Sequence, residues 1–215
     1  MDWAIEHVSG DAAGFHARDP QPTRLAWVFR TLAPALVLGS TQPDSAVDRR
    51  TCERAGVDVV RRRSGGGAVL LRPGEVTWID LVVPRGDPLW QDDVGRSMWW
   101  VGELWARSLA RLGCESVAVH RGGLVTTGWS RTVCFDGLGP GEVTVGGAKA
   151  VGISQRRTAA SARFQCAVYH RYDAADLVAL MSPPRPQVDE LRPVAAVDDA
   201  DGLVAAVLDE LRLLA

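Results

Sequence analysis

The sequence predicts one α+β domain with a mostly antiparallel sheet. Three observations carry this: strand-like apolar segments recur along most of the chain, one clear amphipathic helix interrupts them, and no repeat, low-complexity tract or linker divides the 215 residues. A chain of this length can bury one sizeable core, so residues 1–215 are read as a single domain.

The elements follow in order. Residues 1–20 are weakly patterned and predict a short helix ending near Asp19-Pro20. "RLAWVFRTL" (24–32) and "ALVLGS" (35–40) read as strands separated by a proline, the second closed by Gly39-Ser40. "PDSAVDRRTCERAG" (43–56) reads as a helix with Asp44 or Ser45 as its cap and Gly56 as its stop. Residues 57–84 read as strand, glycine-rich loop, strand, turn, strand. Val76, Trp78, Asp80 and Val82 alternate there with Thr77, Ile79, Leu81 and Val83. Both faces are largely apolar, as in a strand buried within a sheet that helices cover. From Asp92 to Leu112 the residues Met98, Val101, Trp105, Leu109 and Leu112 recur at three- and four-residue spacing, which is the helical period. Residues 116–120, 142–147, 150–154 and 163–170 read as strands. The tail from Asp173 holds helical pieces broken by "SPPRPQ" (182–187).

Composition narrows the function. The 47% hydrophobic and 23% charged content is that of a soluble globular protein. A net charge of −2 argues against a nucleic-acid footprint, which is usually strongly basic. The N-terminus has no basic region followed by an apolar run, and the longest apolar runs are far shorter than a membrane span. Cys52, Cys114, Cys134 and Cys166 form no CxxC pair, so free thiols in a reducing cytoplasm are expected. Four scattered histidines argue against a metal site.

Two stretches carry chemistry. In Arg61-Arg62-Arg63-Ser64-Gly65-Gly66-Gly67-Ala68-Val69, three successive glycines remove every Cβ. The backbone can then press against a ligand and offer N–H groups to phosphate or carboxylate oxygens. The pattern is neither a Walker A loop nor GxGxxG. The second stretch, Val145-Gly146-Gly147-Ala148-Lys149-Ala150-Val151-Gly152-Ile153-Ser154-Gln155-Arg156-Arg157, holds the one lysine among 24 Lys and Arg residues. Coding bias accounts for the scarcity. Chemically, lysine is a compact point charge where arginine is a planar fork.

In order and content these two stretches resemble the paired motifs of the lipoate–protein ligase and octanoyltransferase family, relatives of the biotin protein ligases. The resemblance covers nearly the whole chain. It implies a mixed, mostly antiparallel sheet flanked by helices, of the kind shared with biotin ligases and class II aminoacyl-tRNA synthetases. It also implies attachment of a lipoyl or octanoyl group to one lysine of a lipoyl domain, in a 2-oxoacid dehydrogenase E2 subunit or the glycine cleavage H protein. In the ligases, ATP and Mg²⁺ activate the acid as acyl-AMP. Carried over by position, Arg62 is the ligand-binding arginine, with Ser64, Gly65, Gly66, Gly67, Ala68, Val69 and Leu70 lining the acyl and nucleotide pocket. Gly147 and Gly152 flank Lys149, which contacts the carboxyl oxygen and the adenylate phosphate. The acyl tunnel is expected around Val69 and Ile79.

The chain departs from the family pattern at Ala148, at Gln165-Cys166 and at Leu71-Arg72. Only about 45 residues follow the last predicted strand, fewer than a usual domain. An accessory domain from another chain, or a pre-activated acyl donor, is therefore expected. "VCFDGLGPGE" resembles one octanoyltransferase branch in which the cysteine, here Cys134, forms an acyl-thioester. Ligase, Cys134-dependent transferase and a non-catalytic acyl-adenylate binder all remain open at this point.

Overall fold

The computed structural model describes residues 2–214. A seven-stranded sheet runs in the order β1 (Ala4–Gly10), β2 (Leu25–Thr31), β6 (Val76–Pro84), β10 (Ser161–Tyr169), β9 (Ala148–Arg157), β8 (Val143–Val145) and β7 (Val117–Val119). All its neighbours pair antiparallel except β1 and β2. A second, three-stranded sheet has β3 (Ala35–Leu38) at its centre. It pairs parallel with β4 (Asp58–Arg61) and antiparallel with β5 (Val69–Leu71). The predicted fold class holds, but the strands divide between two sheets.

One face of the large sheet is covered by α3 (Trp99–Arg111) and α5 (Ala200–Arg212), which pack on each other; the short α4 (Ala174–Val178) lies between β10 and α5 in the chain. Ile79, Leu81, Trp105, Val151, Phe164 and Val207 meet in that core. Trp105 is fully buried there, whereas Trp99 and Trp100 are half-buried. The opposite face of β2 and β6 meets the small sheet through Phe29, Trp78, Val82, Val37 and Leu71. Period-2 alternation therefore sends Trp78 and Ile79 to different layers. Ile79, expected beside an acyl tunnel, faces α3 and α5, and its neighbour Trp78 faces the small sheet. No helix among the described residues is long and apolar enough to cross a membrane.

Two further expectations need correction. Residues 1–20 hold a strand as well as the helix α1 (Ala12–Ala17), which is capped by the Asp11 carboxylate accepting from Gly14 N at 2.6 Å. β1 is an edge strand with mostly exposed side chains, so no burial pattern marks it. The predicted helix 43–56 is a 3₁₀ turn followed by α2 (Arg49–Arg54), and its cap is Asp48, which accepts from Thr51 N at 3.1 Å. Asp44 pairs with Arg61 at 2.6 Å instead.

Candidate active site

The glycine loop joins β4 to β5 in the small sheet and lies over the C-terminal part of β9. Its shape is set from inside by Arg62, which is 5% exposed. The Arg62 guanidinium donates to Gly65 O at 2.7 Å, Gly67 O at 2.8 Å and Val37 O at 3.3 Å. Arg62 thus folds the loop, and only its side-chain flank lines the pocket. Gly66 has φ +100°, which only glycine adopts without strain. At Gly67 a Cβ would stand 2.6 Å from Cys134 N and from Val133 C, so the absent side chain lets residues 133–134 pack against the loop. Ala68 N donates to Thr132 O and Cys134 N to Ala68 O, at 2.8 and 3.0 Å. With the Gly65 and Gly67 carbonyls occupied by Arg62, the N–H groups of Gly65, Gly66 and Gly67 have no acceptor among the described residues. They are available to a ligand oxygen.

Cys134 opens a short 3₁₀ turn, Cys134–Asp136, that is held at every residue. Its Sγ lies beside the Gly66 backbone, 3.8 Å from where a Cβ there would be. The Cys134 carbonyl accepts from Lys149 Nζ at 3.0 Å, and the Gly137 carbonyl accepts from the same ammonium at 3.0 Å. Asp136 accepts from Thr127 Oγ1 and from Arg192 N. The third Lys149 donor meets Glu142 Oε2 at 2.7 Å, with both side chains about 5% exposed, and the ammonium sits 4.8 Å from the centre of the Phe135 ring. Glu142 is satisfied in turn, accepting from Gly139 N at 2.7 Å and Ile153 N at 3.1 Å. The one lysine is thus the hub of the cysteine turn. Glu142, the other half of that hub, was not singled out in the sequence; its only signal there is its place just before the lysine strand.

Ser64 Oγ lies 3.0 Å from Ser154 Oγ and donates to Gln165 Oε1 at 3.1 Å. Gln165 Nε2 reaches His16 Nδ1 at 3.0 Å, and His16 stacks on Trp78 with ring centres 4.7 Å apart. Burial, with Arg163 and Arg62 nearby, lowers the His16 pKa to about 3, so the ring is neutral. Val69 and Gly152 line the pocket, and the Phe135 ring would stand 3.0 Å from a Cβ at Gly152.

Other expected residues lie elsewhere. Leu70 turns away and presents its carbonyl to Tyr169 Oη at 2.9 Å. Ala68 is buried behind the loop, in the core with Leu36 and Val133. Gly146 and Gly147, with φ +57° and +84°, make the two-residue turn between β8 and β9 and line neither pocket described below. Burial pushes the Cys166 thiol up, keeping it protonated, in line with its reading as core.

Two spaces meet at Cys134. A narrow slot runs between the two sheets, bounded by Val37, Val69 and Leu71 on one side and by Trp78, Gly152 and Ala167 on the other. A wide cleft of about 1970 Å³ lies outside, with Gly65, Gly66, Gly67, Lys149, Glu142 and Arg131 on its walls. Cys134, Ile153 and Ser154 line both. An apolar slot opening at a thiol, beside free backbone amides, is suited to holding an acyl chain with its carbonyl at the sulfur.

The Lipoyl protein ligase A/B catalytic domain family matches residues 3–210. The chain belongs to this family. It is 26% identical over 164 residues to octanoyltransferase LipM of Clostridioides difficile, a match covering 75% of this chain and 60% of that protein's length. Lipoate-protein ligase A bound with ATP has the same fold, with a TM-score of 0.73 and 19% identity, over 98% of this chain and 84% of that one. So does the bipartite lipoate protein ligase of Thermoplasma acidophilum, described with its E2 lipoyl domain. Its TM-score is 0.69 at 18% identity, over 97% of this chain and 81% of that one.

Proposed function

We propose that the chain transfers an octanoyl or lipoyl group to a lipoyl-domain lysine through a thioester on Cys134. The observation that carries this is the position of Cys134 at the junction of slot and cleft, on a turn held by Lys149 and the glycine loop. All three N–H bonds of Lys149 are committed to Cys134 O, Gly137 O and Glu142. The lysine's role in this reading is to fix the turn and supply a positive charge near it.

In the first step Cys134 Sγ attacks the carbonyl of a carrier-bound acyl thioester. The new C–S bond forms as the carrier's C–S bond breaks, and the carrier sulfur leaves as a thiol with the proton of Cys134. In the second, the acceptor lysine amine attacks the Cys134 thioester. The amide C–N bond forms, the Cys134 sulfur leaves, and the amine proton returns to it. Each tetrahedral intermediate carries an oxyanion, and the free amides of Gly65, Gly66 and Gly67 are the groups placed to stabilise it.

A second reading is ligation through acyl-AMP, using ATP, which the similar lipoate-protein ligase A binds, together with Mg²⁺. The cleft volume and the same free amides favour it, since both suit a nucleotide phosphate. It requires Lys149 to leave Glu142.

The test is incubation with an apo lipoyl domain and either octanoyl-carrier protein or octanoate plus ATP and Mg²⁺, read by intact mass. Transfer from the carrier alone, with a hydroxylamine-labile octanoyl adduct on the chain that Cys134→Ser abolishes, is the expected result. Transfer only with ATP, unaffected by Cys134→Ser, overturns the thioester reading in favour of the second.

A further inference from the structure

The slot has an end, and one side chain makes it. From the cysteine the slot crosses the large sheet from β9, at Gly152, through β10, at Ala167, to β6, at Trp78. Two inter-strand steps are about 10 Å. Beyond Trp78 stands His16 of α1, stacked on the indole and bonded to Gln165. The same imidazole also borders an open surface depression, lined by Ala13, Ala17, Val59 and Val60 with Arg61 and Arg63. His16 is the residue that borders both spaces from α1. It is a partition one side chain thick.

We propose that His16 sets the length of the acyl chain the protein accepts, acting as the removable floor of the slot; this rests on the acyl-transfer reading above. An extended eight-carbon chain, with C–C bonds of about 1.5 Å, measures about 9 Å from carbonyl carbon to methyl. It fits between Cys134 and the imidazole, whereas a twelve-carbon chain at about 14 Å does not. The ring suits the role because it is neutral and its Nδ1 is tied to Gln165, so it offers the chain end a rigid face. α1 is short, six residues from Ala12 to Ala17, and buries His16 beside Phe15 in its last turn. Replacing the imidazole by a methyl joins the slot to the outer depression; Gln165 loses one partner but still accepts from Ser64.

The experiment measures transfer from octanoyl-, decanoyl-, dodecanoyl- and tetradecanoyl-carrier protein to an apo lipoyl domain, with direct titration of the four free acids in parallel. The wild-type protein should prefer eight carbons over twelve by at least tenfold. His16→Ala should reverse or erase that ratio in both transfer and binding. His16→Phe refills the partition without a polar atom and should keep the eight-carbon preference, which separates a length effect from a loss of folding. An unchanged twelve-to-eight ratio in an active His16→Ala protein overturns the floor. A ratio that shifts equally in His16→Phe overturns it as well, since the partition is then not what selects. Loss of transfer and of acid binding for every chain length in the wild type would overturn the acyl-transfer reading and the floor with it.

Discussion

Replacing Lys149 by Met tests whether the lysine builds the cysteine turn. The change removes the cation from a pair in which both groups are about 5% exposed, leaving Glu142 as a buried charge supported only by Gly139 N and Ile153 N. It also strips the Cys134 and Gly137 carbonyls of their shared donor. Breaking a buried pair by removing one partner costs about 3–5 kcal/mol, and the two carbonyl bonds overlap with that figure. A domain of this size loses about 2–4 °C of melting temperature per kcal/mol, so a fall of roughly 6–20 °C is expected. Glu142→Gln destabilises too, by leaving the ammonium unpaired. The double variant should be more stable than the sum of the singles by about 2 kcal/mol, because no uncompensated charge is left. Denaturant unfolding of the four proteins gives the cycle. Additivity within about 0.5 kcal/mol would refute the hub, because independent sites add to that accuracy.

Lys149→Arg should fail as well: a planar fork cannot meet three acceptors that converge within 3.0 Å of one atom, so loss of transfer and about 1–3 kcal/mol of overpacking are expected in activity and melting assays. Gly67→Ala places a Cβ 2.6 Å from Cys134 N and should separate loop from turn, cutting Cys134 acylation by more than tenfold in an intact-mass time course while the far-UV circular dichroism spectrum stays unchanged. His16 gives a pH signature. Below about pH 6.5 the unfolded chain protonates this histidine, whereas the folded protein, with the group lowered to about 3, does not. The unfolded state then binds more protons, so stability is lost as the pH is lowered across that window, by about 1.4 kcal/mol per unit from this group. Urea unfolding of His16→Gln from pH 6 to pH 4 should show a correspondingly shallower slope, and equal slopes would rule the buried neutral histidine out.

The fold was legible wherever a burial period exists. Residues 76–83 are apolar on both faces because β6 is sandwiched between α3 and α5 on one side and the small sheet on the other. The helix over 99–111 shows its stripe because one face meets the sheet and α5. Where burial is one-sided and weak, the reading failed: β1 pairs with β2 through its backbone while its side chains stay mostly exposed. The split into two sheets was equally invisible. Pairing partners depend on contacts between distant residues, such as Val37 with Val69, that no local period encodes.

At the site, residue types were legible and their partners were not. The triple glycine pointed to a backbone cradle, and the amides of Gly65, Gly66 and Gly67 have no acceptor among the described residues. Arg62 read as a ligand contact; it lines the slot, and its guanidinium also donates to Gly65, Gly67 and Val37, because a loop without side chains needs an internal scaffold. Glu142 and His16 carried no motif at all. The lysine shows the difference between counting and geometry. Coding bias explains why lysine is rare in this chain, but it says nothing about why one remains at position 149. The structure supplies the reason: two backbone carbonyls of the cysteine turn and one buried carboxylate converge on a point, which a tetrahedral ammonium satisfies and a guanidinium does not. The same convergence fixes Cys134 at the mouth of the slot. A requirement for a point charge in the scaffold therefore becomes a requirement for where the thiol stands.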